Sequence, residues 1–300
     1  MPRGRFVPCY SVAPRAASKS LCAKAFLVSL SLLDTQWRLM AACWYRCGDT
    51  VTLTLRNNIH STTWHSIDLH AVYGPGGAAD VLTVLPGKAK SVTFKAMYPG
   101  AFTYHCAVPG EMDMHISRGM FGMIVVEPER GLPHVDREFY LGQHDTYTKQ
   151  TPGTAGPREF DFESMLREQP TYVIFNGAFN ALTAQHFGAM KARVGETVRV
   201  FLVNGGPNLA SSLHPIGNIW SRVWFMGGFA EPPMGFLQSV PVPPGNAIVA
   251  DMELPVPQTI KIVDHSMSRA MHKGVVAEIE VSGKENPEVF DANPSKPSAT

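Results

Sequence analysis

Three residues in the first half of the chain have the types and spacing of a soft metal site. Cys106 is followed by His115 nine residues later and by Met120 five residues after that. A thiolate, an imidazole and a weak thioether, completed by a second imidazole, are the donors of a blue-copper electron-transfer centre. The spacing therefore predicts a copper site and leaves one histidine ligand to be found. Met112 and Met114 lie in the same segment, but the spacing favours Met120 as the axial ligand.

A second cluster lies upstream, where His65, Asp68 and His70 stand close together. Successive side chains of a strand point to opposite faces, so His105 and Cys106, which are neighbours, should face different metals. If the upstream segment is extended, His65 faces one way while Asp68 and His70 face the other. The simplest partition assigns His65 to the Cys106 site. It assigns His70 and His105 to a second metal, with Asp68 beside it.

Two imidazoles leave that second site incomplete, and a repeat in the sequence suggests the missing ligand. The pattern of residues 48–57 returns at 195–204, and His105-Cys106 is echoed by His265-Ser266. A serine hydroxyl cannot replace a thiolate at a blue-copper site, so the second half should not carry its own. His265 then becomes the candidate third ligand of the second metal.

The rest of the chain has the pattern of a turn-rich β protein. Short stretches of alternating apolar and polar residues are separated by Pro-Gly pairs, and the internal repeat predicts two related β-sandwiches in tandem. The chain has 300 residues, is 45% hydrophobic and 17% charged, and has a net charge of +1, which gives no reason to expect a nucleic-acid partner. Four of its five cysteines lie in the first 47 residues, so no disulfide framework or c-type haem attachment is indicated.

The sequence divides into five segments. Residues 1–47 are atypical: the apolar run 25–33 is too short to span a bilayer and suits an export signal, which predicts a periplasmic or cell-surface protein. The sandwiches are predicted at 48–128 and 171–282, with a linker at 129–170 that contains one short helix near 162–167. Residues 283–300 are polar and are predicted to form a flexible tail.

From about residue 48 to residue 283 the chain resembles the copper-containing nitrite reductases. The motifs that carry the likeness occur in the family's order, and they are the 65–70 cluster, Tyr104-His105-Cys106, 114–120, Asn204-Gly-Gly-Pro-Asn208, 212–217 and Val263-Asp-His265-Ser. Two of them, 204–208 and 264–266, most resemble the branch that includes outer-membrane-anchored enzymes. The resemblance implies an all-β fold of two tandem cupredoxin-type Greek-key β-sandwich domains, assembled as a homotrimer.

The resemblance also implies a role for each residue and two coppers per chain. The type 1 copper ligands are His65, Cys106, His115 and Met120. The type 2 copper ligands are His70, His105 and His265, with His265 donated to the neighbouring subunit. The catalytic acid–base pair is Asp68 and His214, and Ile216 crowds the substrate.

The activity that follows is the one-electron reduction of nitrite to nitric oxide and water. The electron would pass from type 1 to type 2 copper through Cys106 and His105, and would come from a separate c-type cytochrome or small cupredoxin. Segment 36–47 departs from the family, which has a Val-Pro-Gly-Pro turn there, and Pro215 and Asn218 are smaller departures.

Two other functions remain open. A laccase-like two-domain multicopper oxidase would need His-x-His pairs for a trinuclear centre, and this chain has none. A non-catalytic copper electron carrier would have a degenerate second site. A metal count distinguishes the three, because the reductase needs two coppers per chain, the oxidase four and the carrier one.

Overall fold

The computed structural model describes residues 26–30 and 43–294, and strands dominate them. The strands are β1 (Phe26–Leu30), β2 (Cys43–Arg46), β3 (Thr50–Asn57), β4 (Asp68–Leu69), β5 (Ala89–Lys95), β6 (Gly100–His105), β7 (Phe121–Glu127), β8 (Arg137–Thr146), β9 (Tyr172–Phe175), β10 (Met190–Arg193), β11 (Thr197–Gly206), β12 (Ser211–Ile216), β13 (Trp220–Trp224), β14 (Met234–Leu237), β15 (Val240–Val242), β16 (Asn246–Glu253), β17 (Gln258–Asp264) and β18 (Val276–Ser282). The helices are α1 (Met112–Ser117), α2 (Phe162–Leu166) and α3 (Met267–Lys273), with 3-10 turns at Pro75–Ala78 and Phe225–Gly227.

The first sandwich packs a three-stranded sheet, in the order β1-β3-β5, against a four-stranded sheet, in the order β2-β7-β6-β4. The alternation in β3 explains its position, because Val51, Leu53 and Leu55 are buried while the residues between them are more exposed. Leu69 and Ile124 reach the same core from the other sheet.

The second sandwich packs a five-stranded sheet, β10-β18-β17-β12-β15, against a six-stranded sheet, β14-β13-β16-β11-β8-β9. Strand β11 is buried on both faces because it contacts two cores. Val198, Val200 and Leu202 face the core of this sandwich, whereas Phe201 and Val203 face the first sandwich.

A third apolar cluster joins the two sandwiches. On β7, Phe121 and Val125 join Phe201 in this cluster, while Ile124, of opposite parity, faces the first sandwich's own core. Both faces of β7 are therefore packed. The strand pair β6–β7, which carries the ends of the cysteine-containing segment, is held between two cores.

The structure confirms the all-β fold of two tandem sandwiches, and it differs from the predicted domain scheme between them. The range 129–170, expected to be a linker, contains the ten-residue strand β8, which pairs in parallel with β11 and antiparallel with β9. The residues on either side of β8 are rich in Pro and Gly, so the sequence pattern of the region is typical of a linker. The strand belongs to the six-stranded sheet of the second sandwich. The short helix expected near 162–167 is α2, capped by the Asp161 side chain, which accepts from the Ser164 N–H.

The N-terminal region is described only in part. Strand β1, which lies within the apolar run 25–33, pairs in parallel with β3. Strand β2 lies in segment 36–47 and pairs in parallel with β7. Residues 1–25, 31–42 and 295–300 lie outside the described residues, so the export signal and the end of the tail stay predictions. Residues 283–294 are mostly exposed and contain only turns and irregular backbone. No helix among the described residues is long and apolar enough to cross a membrane.

We predict that His144 makes stability depend on pH. It is 4% exposed, its ring lies 5.4 Å from that of Phe121, and its Nδ1 has no hydrogen-bond partner among the residues described. Burial lowers its pKa from 6.5 to about 4. The unfolded state therefore binds more protons between these values, and His144 by itself should lower the free energy of unfolding by about 2 kcal/mol from pH 7 to pH 5.

The measurement is urea unfolding of copper-free protein at both pH values. In His144→Leu, the decrease in the free energy of unfolding from pH 7 to pH 5 should be about 2 kcal/mol smaller than in wild type. In His134→Leu, at an exposed position, the decrease should equal that of wild type. Equal pH dependence in wild type and His144→Leu would contradict the assignment.

Candidate metal centres

The first cluster brings together a thiol and two imidazoles. The Sγ of Cys106 lies 3.6 Å from Nδ1 of His65 and 3.3 Å from Nδ1 of His115. All three side chains are buried, and Met120, 3% exposed, packs in the same small cluster as Cys106. The four residues expected to form the type 1 site are therefore together. By contrast, Met112 is 39% exposed.

Local backbone geometry explains how four separate residues converge. The Cys106 N–H donates to the Met120 carbonyl at 2.9 Å, and the Met120 N–H donates to the His115 carbonyl at 3.0 Å. These bonds close a loop in which α1 carries His115 inward, and Gly119, at φ +90°, returns the chain to β7. His65 is fixed to this sandwich by reciprocal backbone bonds with Val84.

The electrostatics of the first cluster suit a soft cation. Burial lowers the pKa of His65 to about 4 and lowers that of His115, so both imidazoles are neutral and can ligate near pH 7. Burial raises the pKa of the Cys106 thiol, although backbone hydrogen bonds oppose the shift. A bound cation would favour the thiolate, and the thiolate, imidazole and thioether donors fit copper.

The second cluster contains His70, His105 and Asp68. The Nε2 atoms of the two histidines are 3.1 Å apart, and Asp68 Oδ2 lies 3.8 Å from the first and 3.9 Å from the second. The Nδ1 of His105 donates to the Cys106 carbonyl at 2.9 Å, and His70 has a hydrogen bond with the backbone of Gly245. The Nδ1 bond of His105 fixes the tautomer that leaves its Nε2 free to ligate, so the pair fits a metal.

A third group, on the second sandwich, contains His214 and His265. Their ring centres are 5.0 Å apart, and Nδ1 of His214 donates to the Gln238 carbonyl at 2.5 Å. The register of β12 with β17 places His265 opposite Ser212, on the same face as His214 and Ile216. Within the described part of the chain, His265 is exposed and does not join the His70–His105 cluster.

The buried Asp264 explains why His265 is held in place although it is exposed. The Asp264 carboxylate accepts hydrogen bonds from the N–H groups of Ser212 and Ser266, each at 3.0 Å, and pairs with Arg269 at 2.9 Å. These bonds fix the turn that follows β17, so His265 projects from a rigid edge.

The three remaining predicted positions lie around this group. Ile216, at the end of β12, is 37% exposed. Pro215 lies in the same strand opposite Ile262, and the Asn218 side chain donates to the Glu253 carbonyl at 2.9 Å. Both departures from the family pattern lie close in sequence to His214, whose ring contacts that of His265.

Two residues beside the clusters escape prediction from the sequence alone. Gly77 has φ +59°, and a Cβ placed there would lie 1.9 Å from Asp68 Oδ1, so the carboxylate occupies the space that the missing side chain leaves. Glu111 approaches His115 on the side away from the thiol, with Oε2 3.4 Å from Nε2. The sequence contained two signals of these contacts: the pair Gly76-Gly77, and the i, i+4 spacing of Glu111 and His115.

Comparison with known proteins also points to copper. Residues 38–131 match a family model described as multicopper oxidase. The chain is 44% identical over 82% of its length to the copper-containing nitrite reductase of Neisseria meningitidis serogroup A, and spans 62% of that protein. It is 32% identical to the copper-containing nitrite reductase of Alcaligenes xylosoxydans xylosoxydans, of which it spans 75%.

A solved structure gives the same result. The copper nitrite reductase of Nitrosomonas europaea superposes with a TM-score of 0.73 at 36% identity, covering 85% of this chain and 87% of that one. This chain belongs to the copper-containing nitrite reductase family. The expected family is therefore confirmed, and copper is the metal that nitrite reductases of this family contain.

We predict that Gly77→Ala destabilises this nitrite reductase family member more than Gly87→Ala does. Both positions have positive φ, at +59° and +72°, so both substitutions carry backbone strain. Only the new Cβ at 77 overlaps a carboxylate, whereas the one at 87 meets Ile59 at an ordinary 3.4 Å. The free energy of unfolding should fall by roughly 1–3 kcal/mol more for Gly77→Ala, measured by urea unfolding. Equal losses would show that Gly77 does not fix Asp68.

Proposed function

We propose that this protein reduces nitrite to nitric oxide, using one copper in the His65–Cys106–His115–Met120 cluster and one at His70 and His105. The observation that carries the proposal is that the clusters meet at adjacent residues, Cys106 in one and His105 in the other. When bound, the first copper would supply an exchangeable electron, and the second a Lewis acid and one-electron reductant for nitrite.

The two clusters are joined by one peptide unit, between His105 and Cys106. Each of these two residues is 8% exposed or less, so solvent is largely excluded along this connection. The hydrogen bond from the His105 ring to the Cys106 carbonyl adds a second link between these two residues. This is the shortest covalent route that the chain offers between the clusters.

The residues around the second cluster can manage the protons. Reduction of nitrite to nitric oxide and water consumes one electron and two protons. Asp68 places a carboxylate within 4 Å of both histidine nitrogens and can hold a proton beside a bound oxyanion. The Nδ1 of His214 is committed to Gln238, so its Nε2 is the atom that can hold the second proton or a bridging water. Ile216 would border the anion with an apolar side chain.

We infer that the third ligand of the second site comes from a neighbouring chain. His265 is exposed, His214 beside it is half-buried, and the pair is separate from His70 and His105 in the described chain. A heterologous interface that closes on itself would bring the pair of one chain to the histidines of the next. A homotrimer, as the family resemblance implies, gives three equivalent sites. The electron donor would be a c-type cytochrome or small cupredoxin, and the protein periplasmic or at the cell surface.

The rival functions have weaker support. A laccase-like oxidase would need His-x-His pairs, and Asp68 stands where His70 would need a partner. A non-catalytic electron carrier would not need the second cluster, in which Asp68, His70 and His105 lie close together.

We expect the copper-loaded protein to form nitric oxide from nitrite when supplied anaerobically with a reduced donor. Asp68→Asn should lower turnover by about 10²–10⁴-fold and retain both coppers, because it removes a proton donor and no ligand. The matched control is Asp80→Asn, an exposed carboxylate nearby. Wild-type protein whose first copper is reduced normally but which yields no nitric oxide would refute the proposal.

The shared site can be tested by complementation. His265→Ala should lose about one copper per chain and keep the blue absorption, and His70→Ala should do the same. When the two variants are co-assembled, about one quarter of the interfaces pair an intact His70 with an intact His265, and copper and activity should return in that proportion. No recovery, or loss of the blue absorption in His265→Ala, would contradict ligand donation between chains.

A further inference from the structure

Glu111 lies immediately outside the first cluster. It precedes α1, four residues before His115, and its Oε2 is 3.4 Å from His115 Nε2. The other ring nitrogen, Nδ1, is 3.3 Å from Cys106 Sγ. The imidazole of His115 therefore lies between the Cys106 thiol and the Glu111 carboxylate, with one ring nitrogen facing each group.

The same carboxylate oxygen of Glu111 has a second partner. Thr63 Oγ1 donates to Glu111 Oε2 at 3.4 Å. The backbone of Thr63 is itself fixed, because its carbonyl accepts from Ser61 Oγ and from Asn57 Nδ2, each at 2.9 Å. Glu111 thus spans the loop before His65 and the helix that carries His115, although its side chain is 41% exposed.

The two histidines of the cluster have different outer partners. The Nε2 of His65 lies 3.4 Å from the neutral hydroxyl of Ser61, whereas the Nε2 of His115 faces a carboxylate. Other charges of α1 act from farther away: Asp113 accepts from the Met114 N–H at 2.7 Å, and Arg118 follows the helix. Glu111 therefore brings a negative charge into direct contact with His115 of the first cluster.

We propose that Glu111 is a positioning residue that orients His115 and favours the oxidised state of copper in the first cluster. A negative charge beyond a ligand imidazole makes the ligand a better electron donor and stabilises the higher charge of the metal. It would lower the reduction potential at the point where electrons enter. The onward transfer to the second cluster would gain driving force. The inference rests on the proposed type 1 site and adds the residue that tunes it.

The test is the midpoint potential of the blue copper in Glu111→Gln, which keeps the shape and removes the charge. We expect the oxidised-to-reduced ratio at a fixed potential to fall about tenfold, which is about 59 mV upward for a one-electron couple. The blue absorption and the copper content should stay unchanged. Glu111→Leu, which also removes the acceptor, should change the absorption as well, because His115 loses its outer partner.

The control is Asp113→Asn, which removes the same charge from α1 without a contact to His115. In Asp113→Asn, the upward shift of the midpoint potential should be less than half of the shift in Glu111→Gln. No shift in Glu111→Gln, or an equal shift in Asp113→Asn, would overturn the role of Glu111 while leaving the proposed function standing. Absence of any blue absorption from copper-loaded wild type would overturn both, so the two failures are distinguishable.

Discussion

The alternation of side chains along β6 is the constraint on which the rest of this protein depends. Because neighbouring residues of a strand face opposite ways, His105 and Cys106 cannot serve one metal, and one peptide unit must connect two donor clusters. The buried thiol fixes the soft cluster on one side, and Asp68 and His70 fix the polar cluster on the other. Every other residue of the two sites either completes one of these sets or holds it in place.

Packing makes that alternation rigid. Strand β7, paired with β6, places Ile124 in the core of the first sandwich and Phe121 and Val125 against the second. The second sandwich reaches the polar cluster too, since Gly245 contacts His70. The interface between the sandwiches therefore supports the polar cluster as well as the strand pair β6–β7.

The sequence was sufficient to predict the tandem sandwiches and to divide the candidate ligands near Cys106 into two clusters, because both follow from periodicity and residue type. It did not bring His265 into contact with His70 and His105 within the described chain. Strand β8 was missed because its flanks are rich in Pro and Gly, and its place is decided by the open edge of β11. Gly77 and Glu111 were missed for a different reason. Their importance lies in a distance to Asp68 or His115, and a turn or helix start gives no sign of what packs against it.

The strand order has a consequence for how the molecule is made. All strands of the first sandwich lie before residue 128, and the ligands of the soft cluster lie between His65 and Met120. During synthesis, this half can fold and enclose its donors before the second sandwich exists, because domains fold as units from the N-terminus. The polar cluster must wait for the loop at Gly245, more than a hundred residues later. The residues of the two clusters and their supports thus become available at different points of chain growth.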